Sequence, residues 1–169
     1  NRRLSAPVYP AGVSDFAFHC MAFLSLKGKL YLDQLNPKAL ILLHLIRIPF
    51  EIILFGLFLH KVVPEIMNFR GWNFDILSGL TAPFIFYCYF IKKKLNKKAM
   101  LAWNIISLGL LLNIVILAVL SAPLPFQRLE FDQPNIAVLF FPFIWLPCCV
   151  VPLVLISHIA VIRHLSRLD

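Results

Sequence analysis

Three apolar runs decide what this chain can fold into. Lys38–Leu59, Ala99–Leu120 and Ile136–Ile162 each reach the ~20 residues that a membrane-crossing helix requires. Backbone surrounded by hydrocarbon must satisfy its own N–H and C=O groups, so such runs fold as helices. A fourth run, Trp72–Ile91, is interrupted by Asp75 and Pro83, yet as a helix it would still reach about 30 Å. The expected fold is therefore an all-α transmembrane helical bundle of four spans, at about 38–59, 72–91, 99–120 and 136–162. Composition agrees. Of the 169 residues 60% are hydrophobic and 14% charged, where soluble domains average about 45–50% and about 25%. Disordered, collagen-like and disulfide-rich classes are excluded together.

Residues 1–35 are expected to form an N-terminal segment ahead of a bundle that occupies 36–169. Asn1–Gly12 lacks the charged-then-apolar order of a signal peptide. Val13–Leu26 is apolar but short, and it contains Asp15 and His19. It reads as an interfacial helix or as a fifth span near the N-terminus. The fifth span is favoured, because Lys27 and Lys29 would close it.

The net charge of +8 would raise nucleic acid as a partner in a soluble domain. Here the basic residues flank apolar runs, and phosphate-cradling motifs are absent, so they read as topology signals. No nucleic-acid partner is expected; the partners are the lipid bilayer and other membrane proteins. The loop Lys92–Lys98 (KKKLNKK) is the strongest such signal. With it in the cytoplasm, Lys27, Lys29, Lys38, Arg163 and Arg167 fall inside as well. Lys61, Arg70 and Arg128 fall outside. That asymmetry predicts a multi-pass protein with loop 92–98 and the C-terminus cytoplasmic.

Local signals mark several helix ends. Asn36–Pro37 supplies a cap and a first-turn proline. Asn73 or Asp75 would cap the second span, and Ser121-Ala-Pro123-Leu-Pro125 would stop the third. Pro142, Pro147 and Pro152 recur every five residues in the fourth, which favours a broken helix lining a cavity. Cys148 and Cys149 are adjacent, with no CxxC spacing, and are expected as small core residues.

Polar residues inside the spans are the candidate functional groups. His44, Arg47 and Glu51 share a wedge of about 60° on one helix. By depth His44, Asn104 and His158 form an inner layer, with Glu51 and Asn113 further out and Arg47 between. Asp75, Ser78, Gly79 and Ala82 share one side of the second span, where small residues admit a close neighbour. Arg47–Glu51 at i,i+4 is the expected ion pair.

Three function classes follow. The leading one is a non-enzymatic membrane protein with a polar intramembrane site at His44, Arg47, Glu51, Asn104, Asn113 and His158. It would move a small solute or protons, or serve as a subunit of a membrane complex. The second is a b-type haem electron carrier ligated by His44 and His158. The third is a membrane enzyme with an outer-face site at Asn73, Asp75, Gln127, Asp132 and Asn135. No catalytic residue is assigned, no cofactor is expected, and without an HExxH motif no metal is expected.

The strings His44-x-x-Arg47-x-Pro49-x-Glu51, Gly71-x-Asn73-x-Asp75-Ile76-x-x-Gly79-x-Thr81-Ala82-Pro83, Ser121-Ala-Pro123-x-Pro125-Phe126-Gln127 and Phe131-Asp132-Gln133-Pro134-Asn135 carry a further signal. Over about Asn36 to Arg163 the chain resembles a family of small bacterial multi-pass integral membrane proteins with no assigned activity. Residues 1–35 are shorter than in such proteins. The resemblance implies a cell inner membrane address and no mechanism.

Overall fold

A computed structural model describes residues 32–125 and 127–167. The expected segment at Val13–Leu26 lies outside them. Among the described residues the fold is all-helical, with no strand.

Helix α1 (Pro37–Leu43) starts as expected, with the Asn36 side chain accepting from the Lys38 N–H and Pro37 in the first turn. A 3-10 turn, His44–Ile46, joins it to α2 (Arg47–Leu59). Pro49 explains the tightened turn. Its ring crowds the carbonyl four residues back, at Leu45, and it offers that carbonyl no N–H. Together these elements form one apolar stretch, Pro37–Leu59. Helix α3 (Ile76–Phe86) continues into a π-turn, Tyr87–Ile91. Helix α4 (Lys97–Ser121) is capped by Asn96, which accepts from the Ala99 N–H, and ends where Pro123 and Pro125 begin. A π-turn, Leu146–Val150, leads into α5 (Val151–Ser166).

Among the described residues three stretches are long and apolar enough to cross a membrane: Pro37–Leu59, Lys97–Ser121 and Leu146–Ser166. Two expectations need correction. The second run is helical only over Ile76–Ile91, because the 72–75 segment turns inward and Asn73 and Asp75 bond elsewhere. It is a shorter apolar helix, so three of the four expected spans have membrane-crossing length among the described residues. The fourth run begins at Leu146, after a 3-10 turn at Ala137–Leu139. Pro142 precedes the helix and Pro147 lies in its first turn, where a missing N–H costs little. Pro152 lies further in, directly after the π-turn, so the prolines distort the first turns of one continuous stretch, Leu146–Ser166. Cys148 and Cys149 are exposed, outside the core.

Helix α5 packs against α4 and α1, and α3 lies on α2 and the 3-10 turn. Two apolar clusters result. One, at the lysine-rich end, holds Ile41, Met100, Val161 and Leu165. The other, at the opposite end, holds Leu54, Val63, Met67, Leu117 and Ala137. The polar side chains lie between them. At the lysine-rich end Asp33 accepts from Arg163 Nε at 2.7 Å and pairs with Arg167 at 2.5 Å. Arg163 holds the Asp33 carboxyl below its ordinary range, so this clasp is charged at neutral pH. At the other end the loop after α4 is pinned to the turn after α2. Ile136 and Ala137 donate to the Val62 carbonyl, and Gln133 Nε2 donates to that of Val63 at 2.6 Å.

Glycine placement separates close contacts from open ones. A Cβ on Gly71 would meet the Glu65 carbonyl oxygen at 2.3 Å and Ile66 Cα at 2.6 Å. On Gly56 or Gly109 it would meet nothing within 4 Å. Gly71→Ala should therefore lower stability by at least the ~1–3 kcal/mol of an overpacked site. Gly56→Ala and Gly109→Ala should be neutral, or gain up to ~1 kcal/mol of helix propensity. Thermal melts of the three variants in one detergent check the ordering.

Candidate functional site

The interior charge is built around Arg47 at the start of α2, near the middle of its span. Arg47 and Glu51 are each 3% exposed and Asp75 is 5% exposed, so each must find its partners within the bundle. Arg47 Nη1 donates to Asp75 Oδ1 at 2.6 Å and to the Ser107 carbonyl at 3.3 Å. Nη2 lies 2.7 Å from His158 Nε2. A guanidinium only donates, so His158 accepts through Nε2 and carries its proton on Nδ1. That Nδ1–H donates to Asn104 Oδ1 at 2.6 Å. One arginine thus ties α2 to the start of α3, to α4 and to α5.

The expected Arg47–Glu51 pair is replaced by Arg47–Asp75. A base four residues before its acid is the weaker order for an i,i+4 pair. The small face of α3 lets Asp75 approach. A Cβ on Gly79 would meet Ile48 Cγ1 at 2.9 Å and the His44 carbonyl at 3.2 Å, so the two backbones nearly touch there. Glu51 instead accepts through Oε1 from Asn73 Nδ2, which also donates to the Met67 carbonyl at 3.0 Å. The Asn73 Oδ1 accepts from the Asp75 N–H, so Asn73 is the residue that turns Asp75 inward.

His44 stacks on His158, with ring centroids 4.3 Å apart, and meets the edge of Trp103 at 5.6 Å. Its Nε2 lies 3.4 Å from Ser157 Oγ. Ser157 donates its own proton to the Val154 carbonyl, so it accepts from His44. Five polar atoms of this cluster are buried without a hydrogen-bond partner: His44 Nδ1, Arg47 Nε, Glu51 Oε2, Ser78 Oγ and Asn104 Nδ2.

Of the expected intramembrane set, His44, Arg47, Asn104 and His158 come together, and Glu51 joins them through Asn73 and Asp75. Asn113 does not. It donates to the Trp72 carbonyl at 2.8 Å and holds the inward turn from outside. The expected outer-face set is dispersed. Asn73 and Asp75 belong to the interior, and Asn135 is buried, donating to the Ala118 carbonyl at 3.3 Å. Gln127 bonds the carbonyls of Leu129 and Glu130 in its own loop, and Asp132 is exposed. Ser107, Ser157 and Trp103 were not expected. A backbone carbonyl has no sequence signal, but Asp75 in a run too short for a comfortable span was a hint of inward bending.

A bis-histidine haem needs its two ligating nitrogens facing each other across the porphyrin. Here the rings lie face to face, with the His158 nitrogens engaged by Arg47 and Asn104. The pair does not fit that group. Among the described residues no cluster of three or more His, Cys, Asp or Glu could hold a metal ion.

Removing Arg47 leaves the Asp75 carboxylate buried and unpaired, which should destabilise by about 3–5 kcal/mol. Arg47→Met with Asp75→Leu should recover most of that loss. Arg47→Met with Glu51→Leu should not, because Asp75 stays charged. Equal recovery in both doubles, measured by thermal unfolding, would restore the i,i+4 pairing.

Residues 12–166 match a family described as a domain of unknown function (DUF8737). No curated protein matches the chain, and no solved structure does.

Proposed function

This chain belongs to the DUF8737 domain family of unknown function, and from the geometry of its buried cluster we propose a multi-pass membrane protein that moves protons or a small charged solute through a polar intramembrane site. It lies in a bacterial inner membrane with loop 92–98 cytoplasmic, as the basic asymmetry favours. The observation that carries the reading is the buried cluster of one guanidinium and two carboxylates, threaded across α2, α3, α4 and α5. Purely structural ion pairs gain nothing from five unpartnered polar atoms. A site that exchanges a ligand or proton must leave some of its groups unsatisfied in one of its states. Donation runs one way, from Arg47 to His158 Nε2 and from His158 Nδ1 to Asn104, with only the His158 tautomer to be fixed. Ser157 lies beside His44 but gives its proton to the Val154 carbonyl, so it is not aligned as a nucleophile, which favours transport over catalysis.

A second reading, a subunit of a membrane complex, is favoured by the short helix. Leu77, Leu80, Phe84, Tyr87 and Ile91 are all exposed along Ile76–Ile91. A helix too short to span comfortably, with an apolar outer face, is suited to a neighbouring membrane protein.

Proteoliposomes loaded with a pH-sensitive dye test the leading reading. The wild-type chain should dissipate an imposed pH gradient, and His158→Gln and Glu51→Gln should each return the rate toward that of empty vesicles. A wild-type rate equal to empty vesicles, with and without a panel of small charged solutes, would leave the subunit reading.

A further inference from the structure

We propose that the cluster binds one proton, and that it resides on Oε2 of Glu51. The proposal deepens the transport reading and uses the same residues. Charge counting leads to it. Arg47 is a permanent cation, and its short bond to Asp75 matches one carboxylate to it. Glu51 is the second carboxylate, and its partner Asn73 is neutral. The charged groups facing it are Arg47 on its own span and Asp75 at the start of α3; the histidines of the cluster, His44 and His158, lie on the other side around Arg47. Helix α4 contributes Asn104 and the Ser107 carbonyl, neither of which titrates. His158 accepts from Arg47, and so is neutral. Among the described residues of the cluster no second cation is left over for Glu51.

Its two oxygens differ in the way a carboxylic acid's would. Oε1 accepts from Asn73, as a carbonyl oxygen does, while Oε2 is buried without a partner. An unpartnered hydroxyl is much cheaper to bury than an unpartnered anionic oxygen. A proton also fits where a larger cation does not. Side chains around Glu51 are packed to near-zero exposure, and a hard metal ion would require several oxygen ligands. When Arg47 turns from Asp75 to Glu51, the proton passes from Glu51 to Asp75, and the site keeps its charge balance with the two carboxylates exchanged.

Infrared absorption of the full chain in lipid nanodiscs at neutral pH tests this, in H2O and D2O. The wild type should show the C=O band of a protonated carboxyl that shifts on deuteration. Glu51→Gln, a neutral isostere that still accepts from Asn73, should lose the band and melt near the wild-type temperature. Asp75→Asn should also lose it, because Glu51 then ionises against Arg47. A wild type without the band, a band that persists in Glu51→Gln, or a Glu51→Gln chain that fails to fold would each overturn the proposal. The band without flux of protons or of any solute in the panel would leave the proposal standing and remove transport. Flux without the band would do the reverse.

Discussion

The buried bond between Arg47 and Asp75 is the interaction on which the rest of the structure depends. A guanidinium near the middle of an apolar span is costly unless paired, and this one satisfies that demand by drawing groups from three other helices. Asp75 must leave the membrane edge, so the 72–75 segment turns inward and the second helix is shortened. Ser107 must lend a carbonyl, which sets the height of α4. His158 must accept, which fixes its tautomer and, through Asn104, the facing of α4 on α5. The close approach of α3 at Gly79 follows from the same requirement.

This arrangement also explains the layering. Apolar clusters at each end pack by size and shape alone, while the central layer carries direction through donors and acceptors. The ends therefore supply burial, and the middle specifies which helix lies beside which. A bundle in lipid has little hydrophobic drive to choose neighbours, so polar contacts in the interior have an outsized role in that choice.

What the sequence made legible was whatever depends on local chemistry. Asn36 with Pro37 and the prolines after Ser121 mark their helix ends by capping and by proline's missing donor. The wedge of His44, Arg47 and Glu51 pointed inward because helical periodicity alone decides it. The depth match of His44, Asn104 and His158 reflected a real meeting, although as a stack and a hydrogen bond in place of a ligand pair. Partner choice was not legible. Arg47 had Glu51 four residues away and Asp75 across a loop, and only the packing of small residues at Ser78 and Gly79 decides between them. The start of the last helix was hidden for a similar reason, since residues 136–145 are as apolar as the helix they precede but are held by backbone bonds to Val62. Asn73 and Asp75 read as surface groups because their run sits at a membrane edge, and the inward turn depends on Asn73 bonding three groups at once.

The central claim is that Asp75, and not Glu51, holds the Arg47 guanidinium. Solid-state NMR recoupling between isotope-labelled arginine side-chain nitrogens and labelled aspartate or glutamate carboxylates measures it directly. In an Asp33→Asn background, which removes the contacts of Arg163 and Arg167, a short arginine–aspartate contact should remain and should vanish with Asp75→Asn. A short arginine–glutamate contact in place of it would contradict the account.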